Sequence, residues 1–118
     1  MARHIDFGKK GEELAAEWLT GKGFDILHQN WRSGRYEVDI IARCGEVIHF
    51  IEVKAGQSNA YGQPEERVSK RKIANMMQGA AAWLYQFPGH KRVQYDVLAI
   101  TLQSDSEPEY FLFEDVYV

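Results

Sequence analysis

Apolar residues recur at helical spacing in two parts of the chain. Near the start they are Leu14, Ala15, Trp18 and Leu19. In the second half they are Val68, Ile73, Met76, Met77, Ala80, Leu84 and Phe87. Spacings of three and four residues place such side chains on one helix face, so the pattern predicts helices over residues 9–21 and 68–86. We expect the first helix to pack Leu14, Trp18 and Leu19 against a central sheet, and the second helix to bury Ile73, Met77 and Leu84.

Runs rich in Val, Ile, Phe and Tyr predict five strands. They cover residues 24–31, 36–42, 46–54, 93–101 and 110–117. Ser33-Gly34 is the predicted turn after the first strand, and Cys44-Gly45 is the predicted turn of a β-hairpin. The glycines and proline of residues 55–64 predict a loop. Helices and strands in this order predict a single α/β domain over residues 1–118, with helices packed on a mixed central sheet.

Composition narrows the class of protein. The chain has 118 residues, 45% of them hydrophobic, which is enough for one domain with its own core. A net charge of −3 excludes a strongly basic protein that binds nucleic acid by charge alone. No apolar run approaches the roughly 20 residues of a membrane helix. The single Cys44 offers no intrachain disulfide, which fits a reducing compartment, so we expect a cytoplasmic protein.

Charge is unevenly distributed along the chain. Residues 103–118 carry five acidic groups and no Lys or Arg. Basic side chains gather in a short stretch at the start of the second predicted helix, namely Arg67, Lys70, Arg71 and Lys72. Two interpretations of this stretch stand: a solvated helix start, or a patch that binds phosphate.

The predicted hairpin carries four charged residues: Glu37, Asp39, Glu52 and Lys54. Side chains alternate across a strand, so each pair shares a face of its own strand. With Cys44-Gly45 as the turn, Glu37 lies opposite Glu52 and Asp39 lies opposite Phe50. Acidic groups placed so closely repel, and a divalent cation between them removes that cost because hard cations prefer carboxylate oxygens. A register shift of one residue would move Asp39 to the other face.

The first helix adds another carboxylate. Glu12 aligns with Ala15 and Leu19, so it lies on or beside the buried stripe, where an unpaired carboxylate is costly. It is either a boundary residue near the helix start, which the helix dipole favours, or a further ligand for the cation.

Taken together, these residues resemble the bacterial YraN family, whose fold is restriction-endonuclease-like and whose core motifs are similar to those of archaeal Holliday junction resolvases. The resemblance covers nearly the whole chain. It rests on Gly8-Lys9-Lys10-Gly11-Glu12, Gly23-Phe24-Asp25-Ile26-Leu27, Asn30-Trp31-Arg32, Glu37-Val38-Asp39-Ile40-Ile41-Ala42, Phe50-Ile51-Glu52-Val53-Lys54 and Tyr95-Asp96-Val97. The nuclease signature that it implies is an acid, then an acid-x-Lys about a dozen residues later.

The resemblance implies a three-layer domain that hydrolyses phosphodiester bonds with Mg²⁺ or Mn²⁺. Its catalytic residues here would be Glu12, Asp39, Glu52 and Lys54, and its metal ligands Glu12, Asp39, Glu52 and the Val53 carbonyl. Lys54 would orient the attacking water, unless it simply pairs with Glu52 on the same strand. Glu37 would not be a metal ligand itself, but would tune the properties of the ligands beside it. Nucleic acid would be contacted by Arg67, Lys70, Lys72 and Gln78.

The chain departs from the family pattern at two places. Tyr36 stands where the family usually has Gly, and Ala55-Gly56 stands where a small polar and a basic residue often follow. Three hypotheses follow. The first is a metal-dependent endonuclease for branched or structured DNA that acts as a symmetric pair. The second is an inactive nuclease-fold module that binds nucleic acid or protein, and the third is a structural partner whose acidic C-terminal strand forms an interface.

Overall fold

Two helices cover opposite faces of a five-stranded sheet in the computed structural model, which describes residues 7–57, 69–103 and 106–117. The elements are α1 (Phe7–Gly21), β1 (Asp25–Ser33), β2 (Tyr36–Cys44), β3 (Val47–Gln57), α2 (Lys70–Gln86), β4 (Arg92–Leu102) and β5 (Glu109–Phe113). The strands lie in the order β1-β2-β3-β4-β5, with β3 and β4 parallel and the other pairs antiparallel. The predicted α/β domain with a mixed sheet is confirmed.

The core on the α1 side joins the first helix to the middle of the sheet. Ala15 and Leu19 are fully buried against residues of three strands, namely Ile40, Ala42, Ile51, Leu98 and Ile100. Leu14 and Trp18 pack at the margin of this cluster and are half-buried. The predicted apolar face of α1 is therefore correct. Its most buried residues are Ala15 and Leu19 rather than Leu14 and Trp18.

The core on the α2 side is centred on Trp83. This side chain is 2% exposed and packs with Met76 and Ala80 against Val38, Ile41, Ile48 and Phe50. Ile73 is buried as predicted, whereas Met77 and Leu84 are only half-buried. The prediction for these two residues is wrong because the stripe 73-76-80-83 turns the largest aromatic side chain of the helix inward.

The hairpin turn differs from the prediction. Cys44 pairs with Val47, so the turn is Gly45-Glu46, and Gly45 has a φ of 62°, which glycine adopts at low cost. The register is therefore shifted by two residues from the expected one, and the predicted pairs Glu37–Glu52 and Asp39–Phe50 do not form. Because the shift is even, it does not exchange the two faces of the hairpin.

Several element boundaries also move. β3 continues to Gln57, into the predicted loop, because it stays paired with β4 as far as Leu102. β1 runs to Ser33, and β5 ends at Phe113. Residues 58–68, which include the rest of the predicted loop and the predicted start of the second helix, lie outside the described residues. Within the described part of the chain, neither helix is long and apolar enough to cross a membrane.

Candidate functional site

The β2–β3 ladder ends before either strand does. Its last pair is Ile40–Ile51, and beyond this point β2 is paired only with β1 and β3 only with β4. The two strands therefore diverge, and their facing backbone groups lose their ladder partners. Asp39 lies at the start of this opening, where its Oδ2 accepts a hydrogen bond of 2.8 Å from the Val53 backbone N–H.

The chain is irregular at Asp39. Val38 packs in the α2-side cluster, although strict alternation from Ile40, which belongs to the α1-side cluster, would place it on the other face. The neighbouring Asn30 has a φ of 52°, and the β1–β2 ladder omits the Asn30–Asp39 pair. The alternation assumed in placing Glu37 and Asp39 on one face is therefore interrupted between them.

Asp39 is electrostatically strained. Burial is the main cause that raises its pKa, to about 7, while the hydrogen bond from Val53 opposes the shift. The charges of Glu52, Glu37 and Glu12 raise the pKa further, in that order. The charges of carboxylates on α1, β2 and β3 therefore all act on Asp39.

Glu52 is the second half-buried acid of this opening. Burial is the main cause that raises its pKa; the positive charge of Lys72 lowers it, and the charge of Glu37 raises it. Its Oε2 is buried and accepts no hydrogen bond from the part of the chain that the structure describes, and Lys54 Nζ lies 3.7 Å away. Buried polar atoms nearly always form a hydrogen bond, so this oxygen is a free acceptor among the described residues.

Glu12 and Glu37, whose charges also act on Asp39, differ in their own contacts. Glu12 is half-buried in the second turn of α1, which approaches β3 so closely that a Cβ atom on Gly11 would lie 2.5 Å from the Ala55 Cβ. Glu37 already has a partner, since its Oε2 lies 2.7 Å from Arg32 Nη2. Of the two, Glu12 is therefore the carboxylate without an ion pair among the described residues.

The donors at the opening suit a hard cation in their chemistry. Asp39 and Glu52 supply carboxylate oxygens, and the Val53 carbonyl faces the same strand edge as the Val53 N–H, since both groups of a strand residue point the same way. As they stand in residues 7–57, 69–103 and 106–117, no three Asp, Glu, His or Cys side chains are close enough together to hold a metal ion.

The predicted nucleic-acid contacts lie on the first half of α2. Lys70 and Lys72 are exposed in its first turn, where Ser69 Oγ accepts a hydrogen bond from the Lys72 N–H, and Gln78 is exposed further along. The charge of Lys72 reaches Glu52, so this end of the helix borders the opening. Arg67 lies outside the described residues.

A neighbouring cavity was not predicted. It has a volume of about 200 Å³ and is lined by Arg35, Tyr36, Arg71 and Asn75, so it lies between the β1–β2 turn and α2. Two signals pointed to it: Arg71 belongs to the basic stretch, and Tyr36 is a departure from the family pattern.

A buried polar network at the other end of β3 was also not predicted. Asp96 is fully buried, and its Oδ2 lies 2.7 Å from His49 Nδ1. Its Oδ1 accepts hydrogen bonds of 2.9 Å from Gln94 Nε2 and from the Asp115 N–H. This network joins β3 and β4 to the segment after β5.

A mixed sheet between two helices, with an acid and an acid-x-Lys where two strands diverge, agrees with the restriction-endonuclease-like fold that the family resemblance implied. The model of the uncharacterised protein family UPF0102 matches residues 11–100, and the chain belongs to this family, the YraN-like group that its motifs predicted.

Relatives of similar size share much of the sequence. A UPF0102 protein from Phocaeicola vulgatus is 39% identical over 92% of this chain and 88% of its own. The UPF0102 protein from Rhodococcus opacus is 39% identical over 92% and 93%, and that from Anaeromyxobacter dehalogenans is 42% identical over 86% and 75%.

Among solved structures, the structure of Pyrococcus furiosus SfsA in complex with Ca²⁺ is similar with a TM-score of 0.38 and 17% identity. The match covers 94% of this chain and 63% of SfsA, so the chain spans less than two thirds of that protein.

Proposed function

We propose that this protein is a metal-dependent endonuclease that hydrolyses phosphodiester bonds in branched or structured DNA. One observation carries the proposal: Asp39 and Glu52 are both half-buried where β2 and β3 diverge, and Glu52 Oε2 has no hydrogen-bond partner among the described residues. A structural site would neutralise such a pair. An arrangement that keeps two carboxylates withdrawn from water and mutually repelling is typical of a site that binds a cation.

Each residue then has a defined part. Asp39, Glu52, Glu12 and the Val53 carbonyl would hold Mg²⁺ or Mn²⁺, which lowers the pKa of bound water and offsets charge on the phosphate. Lys54 is half-buried beside Glu52, where its ammonium group would orient the attacking water and contact the phosphate.

The remaining residues act around this centre. Glu37, which Arg32 holds in place through an ion pair, would contribute to the negative electrostatic potential at the opening. The exposed Lys70, Lys72 and Gln78, with Arg67, would contact the DNA backbone. We propose a second copy of the chain as the partner, because a symmetric junction presents two equivalent strands.

A second candidate function is an inactive nuclease-fold module that binds nucleic acid or a protein. It is favoured by the spacing of the described carboxylates, which do not by themselves form a complete ligand set. In that case Lys54 serves only to pair with Glu52, at 3.7 Å.

The test compares thermal melts and DNA cleavage for the wild type and Asp39→Asn. We expect Mg²⁺ or Mn²⁺ to raise the Tm of the wild type, because a ligand that binds only the folded state stabilises it. This rise should vanish in Asp39→Asn, and cleavage of a labelled four-way junction should fall by at least about 100-fold. A wild type that neither responds to the cation nor cleaves would overturn the proposal.

Two further variants sharpen the test. Glu46→Gln removes an exposed carboxylate from the turn at the far end of the same hairpin, so it should leave both readouts unchanged. Lys54→Gln should keep the Tm response to the cation and lose cleavage, because an ammonium group is not a metal ligand. Unchanged cleavage in Lys54→Gln would show that Lys54 only pairs with Glu52.

A further inference from the structure

The cavity between the β1–β2 turn and α2 has the chemistry of an anion site. Its lining contains two guanidinium groups, a phenol and an amide, and no carboxylate: Arg35, Tyr36, Arg71 and Asn75. Its volume of about 200 Å³ is below the roughly 300 Å³ at which pockets for drug-sized ligands begin, so it suits a small group such as one phosphate.

The two arginines of this cavity differ from others in the protein. Arg32 and Arg43 are each within 3 Å of a carboxylate, on Glu37 and Asp25. Within residues 7–57, 69–103 and 106–117, neither Arg35 nor Arg71 forms such a pair. Among the described residues no carboxylate therefore occupies their N–H donors, and the planar guanidinium matches the oxygens of a phosphate.

Tyr36 holds one of these guanidinium groups in place. The Arg35 Nη2 donates a hydrogen bond of 3.1 Å to the Tyr36 hydroxyl, and the guanidinium carbon lies 5.2 Å from the centre of the Tyr36 ring. An arginine that is already ordered loses less side-chain entropy when it binds a ligand. The side chain that departs from the family pattern thus pre-orders a phosphate-binding group.

Each wall of the cavity contains a residue that is next in the chain to a charged residue near the carboxylate site. Tyr36 directly precedes Glu37 on β2, and Arg71 directly precedes Lys72, whose charge lowers the pKa of Glu52. A DNA strand whose phosphodiester reached Asp39 and Glu52 would carry a neighbouring phosphate toward these walls.

We propose that Arg35, Tyr36, Arg71 and Asn75 bind a DNA backbone phosphate that flanks the bond to be cleaved. This inference rests on the proposed function, since it assigns a substrate contact to the same site. It adds four residues to the interface and gives Tyr36 a positioning role through Arg35.

The test measures binding of a labelled four-way junction by fluorescence anisotropy, in EDTA, at several salt concentrations. We expect Arg35→Gln/Arg71→Gln to weaken binding by at least about tenfold and to reduce the salt dependence by roughly one counterion, because both arginines contact the same phosphate. Arg35→Lys/Arg71→Lys should lose part of the affinity, since lysine lacks the two-pronged contact.

The matched control is Arg43→Gln/Arg92→Gln, which removes the same charge from another cavity, beside the Gly45-Glu46 turn. It should change the affinity by less than about threefold. Equal losses in the two double variants, or no loss in either, would overturn the inference, as would a wild type that does not bind the junction. Tyr36→Phe should fall between wild type and the Arg35→Gln single variant.

Two further arms separate the possible failures. Inorganic phosphate should raise the Tm of the wild type more than that of Arg35→Gln/Arg71→Gln; if it does so while junction binding is unchanged, the cavity binds free phosphate and the inference about DNA is wrong. Binding that depends on the two arginines without any cleavage by the wild type would overturn the proposed function and keep only the contact between the two arginines and a DNA phosphate. Cleavage with arginine-independent binding would overturn only this inference.

Discussion

Two carboxylates on the strands that flank β3, Asp39 on β2 and Asp96 on β4, have opposite surroundings. Asp96 is fully buried, yet both of its oxygens accept hydrogen bonds, from His49, Gln94 and the Asp115 N–H. Asp39 is also largely withdrawn from water, but it accepts a single described hydrogen bond, and the charges of three other acids act on it. We call the surroundings of Asp96 the closed end, because hydrogen bonds satisfy both of its oxygens. We call the surroundings of Asp39 the open end, because the charges of other acids repel its carboxylate.

The difference distinguishes a structural acid from a candidate ligand. A buried carboxylate that receives enough donors stabilises the fold around it, as Asp96 does by tying the segment after β5 to the sheet. A buried carboxylate beside like charges costs stability unless something else neutralises it. The fold therefore keeps Asp39 and Glu52 ionisable at some expense, which is what a binding site requires and a structural site does not.

The largest expected effect is at the closed end. Asp96→Ala removes the acceptor for three donors and should lower the free energy of unfolding by roughly 3–5 kcal/mol, because it leaves buried polar groups without a hydrogen-bond partner. Chemical denaturation of the wild type and the variant checks this. A loss below about 1 kcal/mol would show that Asp96 is no more structural than an exposed residue and would break the comparison.

The open end predicts an unusual pH dependence. The pKa of Asp39 is raised from 3.8 to about 7 in the folded protein, so the folded state binds more protons than the unfolded state between these values. Without metal, the free energy of unfolding should therefore fall as the pH rises from about 4 to 7, by an amount on the order of a few kcal/mol, and then level off. Asp39→Asn should lack this part of the decline and match or exceed the wild type in stability at pH 8.

Cation binding should reverse this trend, because the ligands must be deprotonated. The Mg²⁺-induced rise in Tm of the wild type should thus be larger at pH 8 than at pH 6. Melts across pH 5–8.5, with and without Mg²⁺, test both statements. A wild type and an Asp39→Asn variant with parallel pH profiles would show that Asp39 is not held under strain.

Much of this fold could be predicted from the sequence, because local patterns determine its elements. Helical spacing located both helices, and residues rich in Val and Ile located the strands. The side of α2 that is buried could not be predicted from the sequence, because Met76 and Met77 are adjacent and both apolar. The packing of Trp83 determines that Met76 is the buried one. Likewise Gly45 fits either position of a two-residue turn, so the hairpin register depended on the whole sheet.

The candidate site was partly predictable for the same reason. Asp39, Glu52 and Lys54 form a recognisable spacing, and Glu12 stood out as an acid beside an apolar stripe. The divergence of β2 from β3 depends on tertiary structure, as does the irregularity at Asp39. The partners of Asp96 lie up to 47 residues away in the chain, so no local pattern indicates that it is satisfied.

The smallest expected effect concerns how α1 supports the open end. Gly11→Ala places a Cβ 2.5 Å from the Ala55 Cβ, which is fixed to the backbone of β3, so the helix must move away. This overpacking should cost about 1–3 kcal/mol, more than the roughly 0.5–1 kcal/mol that alanine normally adds to a helix. Gly21→Ala is the matched control at the other end of α1, where no atom lies within 4 Å of the new Cβ, and it should be neutral or slightly stabilising. Because the shift displaces Glu12 from Asp39, Gly11→Ala should also weaken the Mg²⁺-induced rise in Tm, whereas Gly21→Ala should leave it intact. If Gly11→Ala lowered stability but kept the full cation response, Glu12 would be a boundary residue of α1 and the site would consist of the β2 and β3 carboxylates alone.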